Sequence, residues 1–202
     1  MIRTFLAVEL SEALRANLSS LQRELKQQVG REGSKHVRLS WVQPTSIHLT
    51  VKFLGDIDEE LVKPMQEAIA QVVAGQRAIK IPLERLGVFP RLQQPRVLWI
   101  GPSEGWERGE GAGRLLSLHQ SVESCCASLN LARDSRPLSP HLTLARIKEG
   151  ERQVGQILAE RGVMDRPLNL GTMEVNAIVL MKSELKPTGS VYTKLWEVRI
   201  GE

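Results

Sequence analysis

A seven-residue pattern, Pro-x-Ser-x-His-Leu-Thr, occurs twice in the chain, over residues 44–50 and again over residues 137–143. In an extended strand, side chains two residues apart point to the same face of the sheet. The histidine and threonine of each copy would therefore share one face, and the leucine between them would point to the other. Each copy predicts a half-buried strand, with its leucine side in a core and its imidazole and hydroxyl facing outward.

The duplication gives His48 and His141 equivalent positions in the two copies. Two such strands facing each other would form one site that also contains Thr50 and Thr143. Histidine titrates near pH 6.5, so one ring can be protonated while its partner is neutral. The repeated pattern therefore favours a catalytic pair over two unrelated structural histidines.

The other two histidines carry no such signal. His36 lies in a segment rich in lysine and arginine, and His119 lies within a leucine-rich helical pattern. We interpret both as structural or simply exposed residues.

Hydrophobic periodicity predicts helices and strands interleaved in both halves of the chain. We expect an α+β fold in which residues 1–202 form a single bilobal domain with two pseudo-symmetric lobes. Each lobe would contain a small, mostly antiparallel sheet backed by helices, with a central cleft between the lobes. The glycine- and glutamate-rich segment 101–113 is expected to be a long loop, of which residues 105–113 form a mobile insertion rather than a phosphate-binding loop. The predicted strands cover 4–10, 37–42, 47–54, 78–86, 97–100, 140–147, 172–182 and 191–200, and the predicted helices follow Ser11 or cover 58–73, 114–129 and 151–161.

Composition places only broad limits on function. The net charge of +4 favours an anionic partner such as RNA or a phosphorylated metabolite, although many basic proteins bind neither. The adjacent residues Cys125 and Cys126 cannot form a disulfide framework, which indicates a reducing compartment. The apolar run at the start is too short for a signal peptide, and no stretch reaches the roughly 20 apolar residues of a membrane span. We therefore expect a cytoplasmic protein with no membrane partner.

A pair of facing histidines suits cleavage of a phosphodiester. One imidazole would take a proton from the attacking water while the other protonates the leaving oxygen, and each transfer contributes about 10² to 10⁴ in rate. The hydroxyls of Thr50 and Thr143 would donate hydrogen bonds to the non-bridging oxygens. A strained cyclic phosphate fits best, because it needs little further activation and hence no metal.

The two histidine motifs, residues 48–51 and 141–144, resemble the paired HxTx signatures of the 2H phosphoesterase superfamily. The resemblance is greatest to the bacterial and archaeal RNA 2′,3′-cyclic phosphodiesterases, also called the 2′-5′ RNA ligase family. It extends over most of the chain, through residues 3–8, 41–44, 48–55, 87–90, 95–101, 140–146 and 183–185.

The resemblance implies hydrolysis of an RNA 2′,3′-cyclic phosphate to a 2′-phosphate end, with no metal or nucleotide cofactor. It also implies a weak reverse reaction, ATP-independent 2′-5′ ligation, and a monomeric protein. By analogy, His48 would protonate the leaving 3′ oxygen, and His141 would activate water. The physiological substrate stays open among tRNA halves, other RNA ends and small cyclic nucleotides.

Within the family an arginine lies near the phosphate, and Arg146 is the corresponding residue here. Strict alternation along the strand places it on the face opposite His141, so it needs a β-bulge or a strand end to reach the cleft. Lys52 shares parity with His48, so it would either line the cleft or lie at its solvated rim. Trp41, Phe89 and Tyr192 could stack a terminal base, but we interpret them as packing residues in a chain with few aromatics.

Two other functions stay open at this point. The same cleft could hold a nucleotide or an RNA end without meaningful catalysis, although binding a phosphate does not require two titratable groups. His48 and His141 could instead ligate a metal, although no cluster of cysteine, histidine or carboxylate residues in the sequence supports that.

Overall fold

The computed structural model describes residues 1–30, 37–134, 136–187 and 189–201, so His36 lies outside the described residues. Strands and helices are interleaved along the chain. The strands are β1 (Ile2–Val8), β2 (Arg38–Trp41), β3 (Leu49–Ile57), β4 (Ile79–Pro82), β5 (Arg85–Phe89), β6 (Val97–Gly101), β7 (Leu142–Glu149), β8 (Thr172–Val175), β9 (Ala177–Lys186) and β10 (Gly189–Arg199). The helices are α1 (Glu12–Gly30), α2 (Val62–Val73), α3 (Glu104–Glu107), α4 (Glu110–Ser128) and α5 (Glu151–Glu160).

The larger sheet runs in the order β10-β9-β1-β3-β7-β6-β5, and β2 pairs with β7 beside this path. Its paired strands are antiparallel, and β4 and β8 form a separate antiparallel ribbon. The predicted α+β class with antiparallel sheets is therefore confirmed. The two motif strands meet at one backbone pair, Leu49 with Leu142, which joins the sheets of the two halves into one path.

Local sequence signals account for the ends of several elements. The Ser11 hydroxyl accepts a hydrogen bond from the Leu14 N–H at 3.3 Å, as expected of a helix N-cap. The Asp58 carboxylate caps a short 3₁₀ turn over Glu59–Leu61, and α2 follows directly. Among the residues that the structure describes, no helix is both long and apolar enough to cross a bilayer.

The strand β1 shows how the sheet is buried on two faces. Leu6 and Val8 point into the main hydrophobic core beneath the helices. Phe5 and Ala7 belong to a second, smaller apolar cluster that they form with residues of β9. This second cluster supports the face of the sheet on which His48 lies, because the Phe5 ring stacks on the His48 ring.

The prediction of a long loop at residues 101–113 is wrong. Ser103 accepts a hydrogen bond from the Trp106 N–H and begins α3, and α4 begins at Glu110, four residues earlier than its predicted start at residue 114. The glutamates of α3 are not merely solvated, because the Arg85 guanidinium contacts Glu104 at 3.2 Å and Glu107 at 3.0 Å. A helix cap at Ser103 and ion pairs with Arg85 of β5 therefore accompany helical structure in a segment whose glycines suggested a loop.

The predicted strand over residues 78–86 is two strands in different sheets. Residues Ile79–Pro82 pair with β8, whereas Arg85–Phe89 pair with β6. Residues 87–89 form the end of β5. The Phe89 side chain is only partly exposed there, because it packs against the Trp99 indole.

The first motif strand contains a β-bulge three residues after its histidine. Ala7 of β1 pairs with Thr50, but the next pair joins Leu6 to Lys52. Val51 is therefore an extra residue on β3, and side-chain parity reverses after it. Lys52 turns into the core, where it is 3% exposed.

The second motif strand repeats this bulge at the equivalent position. Trp99 of β6 pairs with Thr143, but the next pair joins Leu98 to Ala145. Leu144 is the extra residue, and Ala145 is fully buried. The two motif strands are therefore equivalent in backbone geometry as well as in sequence.

The prediction that Lys52 lines the cleft or its rim is wrong, and the bulge is the reason. The Lys52 ammonium contacts both carboxylate oxygens of Glu123 on α4, at 2.8 and 2.9 Å, and also donates to the Ala132 carbonyl at 2.8 Å. Glu123 is 7% exposed and also accepts from the Asp134 N–H. This buried pair ties β3 to α4 and to the segment that follows α4.

Replacing Lys52 with methionine should lower the free energy of unfolding by about 3–5 kcal/mol, because Glu123 would be left as an uncompensated buried charge. The double variant Lys52→Met/Glu123→Leu should recover much of that loss. Urea unfolding of the wild type, both single variants and the double variant measures the coupling. A Lys52→Met loss below about 1 kcal/mol would contradict a buried structural pair.

Candidate active site

The two histidines are held in the same way by their own motifs. His48 Nδ1 lies 2.8 Å from the Ser46 carbonyl oxygen, and His141 Nδ1 lies 2.8 Å from the Ser139 carbonyl oxygen. A carbonyl oxygen only accepts hydrogen bonds, so Nδ1 must donate in both rings. Each neutral imidazole therefore leaves Nε2 free to accept a proton. The repeated serine contributes its backbone carbonyl to this arrangement.

The single backbone pair between the motif strands sets the register of the site. With Leu49 opposite Leu142, the antiparallel register places His48 across from Thr143 and Thr50 across from His141. All four side chains lie on the face opposite the two leucines. The two histidines are then diagonal neighbours, for which a regular ladder gives a spacing of roughly 7–8 Å.

Aromatic rings support each imidazole from the side. The Phe5 ring stacks on His48 with centroids 4.7 Å apart, and the Tyr192 ring meets His48 edge-on at 5.3 Å. In the other half, Phe89 meets His141 edge-on at 5.0 Å, and the Trp99 centroid lies 6.2 Å away. Rings of this size restrict the tilt of the imidazoles and exclude water from one side of each.

The second bulge brings Arg146 to the histidines, as the alternation argument required. Its positive charge lowers the pKa of both His48 and His141, so it acts electrostatically on the two rings together. The equivalent residue in the first copy is Phe53, which is 58% exposed. One half of the site therefore presents a cation where the other half presents an aromatic ring.

Burial is the main cause that holds the pKa of each histidine below its ordinary value of 6.5. The backbone carbonyl bond opposes this shift in both rings, and the charge of Arg146 adds to it. For His48, the Glu9 carboxylate raises the pKa, whereas the neighbouring His141 lowers it. The influence of His141 on His48, and of Arg146 on both rings, shows that the two rings share one electrostatic environment.

A cavity of about 570 Å³ opens beside His48. Polar side chains of the segment before β3 and of β10 line it, including Gln43, Thr45 and Lys194. Lys194 is held at the edge by the Glu9 carboxylate at 2.7 Å. His141 is not among the lining residues, so the cavity extends the site on the His48 side.

Other candidate residues do not line the cavity beside His48. The Trp41 ring packs against the main core and under the Lys26 ammonium, which is 5.3 Å from the ring centroid. His119 lies on α4, with Nε2 at 3.9 Å from Glu123. Cys125 and Cys126 are free thiols on α4, and burial raises the pKa of Cys126 to about 12. Within the described part of the chain, no three histidine, cysteine or carboxylate residues are grouped closely enough to hold a metal ion.

An antiparallel α+β fold in which two equivalent histidine strands pair with each other indicates a phosphoesterase. The sequence model of the family described as "LigT like Phosphoesterase" matches residues 8–99 and 108–192. The chain therefore belongs to the LigT-like phosphoesterase family of the 2H superfamily, and it is a phosphodiesterase. The unmatched residues 100–107 contain α3.

Similar proteins agree with this assignment. The RNA 2′,3′-cyclic phosphodiesterase of Aquifex aeolicus (strain VF5) is 33% identical over 183 residues, which are 88% of this chain and 90% of that protein. The RNA 2′,3′-cyclic phosphodiesterase of Methanothermobacter thermautotrophicus is 30% identical over 199 residues, which are 98% of this chain and 99% of that protein.

Solved structures share the fold. A protein of Thermus thermophilus is 27% identical, with a TM-score of 0.73 over 98% of this chain and 97% of that chain. E. coli LigT complexed with 3′-AMP is 23% identical, with a TM-score of 0.73 over 100% of this chain and 99% of that chain. The second likeness concerns the fold alone.

Replacing Gly87 with alanine should disturb His141 specifically. A Cβ at Gly87 would lie 2.0 Å from the Trp99 indole, so the ring must move, and this ring packs against Phe89 and faces His141. We expect a loss of about 1–3 kcal/mol in the free energy of unfolding. The NMR signals of the His141 ring should shift, whereas those of His48 should not.

Gly113→Ala is the matched control, because a Cβ at that helical position meets nothing within 4 Å. It should leave both histidine signals in place and be neutral or stabilising by up to about 1 kcal/mol. An unshifted His141 signal in Gly87→Ala would contradict the packing route from Gly87 to the site.

Proposed function

We propose that this protein hydrolyses RNA 2′,3′-cyclic phosphate ends to 2′-phosphomonoesters by acid–base catalysis with His48 and His141. The observation that carries the proposal is the equivalent tethering of both rings through Nδ1, which leaves two Nε2 atoms free beside one cation, Arg146. The names of the relatives from Aquifex and Methanothermobacter support the choice of substrate.

In the proposed reaction, His141 Nε2 takes a proton from water as the water oxygen attacks phosphorus. The bond between phosphorus and the 3′ oxygen breaks, and His48 donates its proton to that oxygen. The products are a 3′-hydroxyl and a 2′-phosphate. Thr50, Thr143 and Arg146 hold the non-bridging oxygens, where negative charge accumulates. With an RNA 5′-hydroxyl in place of water, the same bond changes would give a 2′-5′ linkage, which we propose as a weak side reaction.

The decisive assay uses an oligoribonucleotide with a 2′,3′-cyclic phosphate end in the presence of EDTA. We expect turnover to a 2′-phosphate, because acid–base catalysis by two imidazoles needs no added metal. His48→Ala and His141→Ala should each lower kcat by about 10²- to 10⁴-fold. The measurement consists of identifying the product isomer and determining the single-turnover rate of each variant.

His119→Asn is the matched control, since this histidine lies on α4 away from the groove. It should keep kcat within about twofold of the wild type. A 3′-phosphate product, or full activity in either alanine variant, would rule out the proposed mechanism. Tight binding of 2′-phosphorylated ends without turnover would favour a binding module instead.

The pH dependence provides a separate test. Because burial and Arg146 hold both pKa values below 6.5, we expect the bell-shaped profile of kcat/KM to reach its maximum below about pH 6.5. Removing the positive charge in Arg146→Gln makes both imidazolium ions easier to form. Both limbs should therefore move to higher pH, and kcat/KM should fall about 10²-fold with the loss of a phosphate donor.

Arg146→Lys keeps the charge but not the guanidinium fork. The two limbs of its pH profile of kcat/KM should therefore stay near the wild-type positions. The sign of the shift is the informative result. Limbs of Arg146→Gln that stay in place, or move to lower pH, would show that Arg146 does not act on the two histidines.

A further inference from the structure

A groove beside the His141 half of the site is lined by three arginines, Arg91, Arg96 and Arg152, and we call it the arginine groove. We propose that it binds internal phosphates of a single-stranded RNA whose cyclic end lies between the histidines. This inference rests on the proposed function and specifies its substrate as an oligoribonucleotide rather than a mononucleotide.

The groove consists of two adjoining cavities of about 840 and 620 Å³. Arg91, Gln94 and Arg152 line both cavities, and Arg96 lines the larger one. The arginine side chains are exposed at the surface of the groove. The groove is therefore open to a chain that passes along it.

The loop that carries Arg91 and Arg96 starts and ends beside the active site. The loop leaves β5 after Phe89, whose ring contacts His141, and it returns to β6 at Val97, which pairs with Arg146. The Arg96 carbonyl also accepts the Ile147 N–H of β7 at 2.9 Å. An RNA strand bound at Arg146 therefore needs only to continue along β7 to reach the arginine groove.

The two walls of the groove touch at a glycine. A Cβ at Gly155 of α5 would lie 2.0 Å from the Leu92 carbonyl oxygen and 3.2 Å from Pro95. The absence of a side chain at Gly155 thus allows α5, which carries Arg152, to lie directly against the loop.

The charges of the groove are available for a ligand. Within the described residues, none of the three arginines lies within ion-pair distance of a carboxylate, and Arg91 donates only to Gln94 at 3.0 Å. One carboxylate, Glu151, also lines the larger cavity. Guanidinium groups without carboxylate partners, next to a site for a phosphate, are suited to further phosphates, which they can bind with two hydrogen bonds each.

The distance fits an oligonucleotide. From Arg146 to Gly150, which lines the far part of the larger cavity, the chain advances about 13 Å at roughly 3.3 Å per residue. Successive phosphates of a helical strand are about 3.4 Å apart along the axis, so about four nucleotides or fewer would cover this distance. A mononucleotide bound at the histidines would not reach it.

The first test compares substrates of different length. We expect kcat/KM to rise from a 2′,3′-cyclic mononucleotide to a hexanucleotide with the same cyclic end. In the variant Arg91→Gln/Arg96→Gln/Arg152→Gln, the ratio of hexanucleotide to mononucleotide kcat/KM should fall about tenfold or more. An unchanged ratio would overturn the proposal.

The second test measures equilibrium binding and does not depend on turnover. The probe is a fluorescent hexaribonucleotide with a 2′-phosphate end, titrated at several salt concentrations. Each lost phosphate contact should reduce the slope of log affinity against log salt by about 0.7, so the triple variant should lose about 2. Arg152→Lys should keep the wild-type slope, whereas Arg152→Gln should lose about 0.7.

The control variant Arg23→Gln/Lys63→Gln/Arg77→Gln removes the same charge from exposed positions that line neither cavity. It should keep both the length dependence and the slope. An equal loss in this control, or competition by polyglutamate as strong as by RNA, would overturn the proposal. Failure of every cyclic substrate to react would refute the proposed function alone, because the binding test would still decide the role of the groove.

Discussion

The β-bulge that follows each histidine motif determines which side chains reach the active site. Without it, alternation along β3 would direct Lys52 to the cleft and leave Phe53 in the core. With it, Lys52 enters the core to meet Glu123, and Arg146 reaches the histidines from the equivalent position of β7. The extra residue is Val51 in β3 and Leu144 in β7, and neither has conspicuous chemistry. Its insertion nevertheless decides whether the side chains after it point to the core or to the site.

The pseudo-symmetry of the site ends at the side chains that surround the two imidazoles. Both rings are tethered alike, but the residue five positions after the histidine is Phe53 in one copy and Arg146 in the other. Glu9 raises the pKa of His48 and does not act comparably on His141. The Glu9 carboxylate thus opposes in part the burial that lowers the pKa of His48.

The sequence predicted the strands of the site and a possible bulge before Arg146, but it did not predict the equivalent bulge before Lys52. The motif predicted the shared face of His48 and Thr50 because both precede the bulge. The fate of Lys52 could not be predicted, because the bulge is defined by pairing with β1, a strand that carries no motif. Residues 101–113 were misassigned for a similar reason, since their order depends on Arg85, which is distant in sequence. Local pattern predicts local structure, whereas these features arise from contacts between remote segments.

The joining of the two halves through Leu49 and Leu142 has a consequence for catalysis. These leucines directly follow the two histidines, so the spacing of the imidazoles is set at the one point where β3 and β7 pair. Beyond that point the strands take different partners, β1 for β3 and β2 with β6 for β7. The leucine pair is fully inside the core, and packed cores resist small displacements. A groove built on this pair can therefore hold the two imidazoles at a constant distance, which the proposed acid–base catalysis on one phosphate requires.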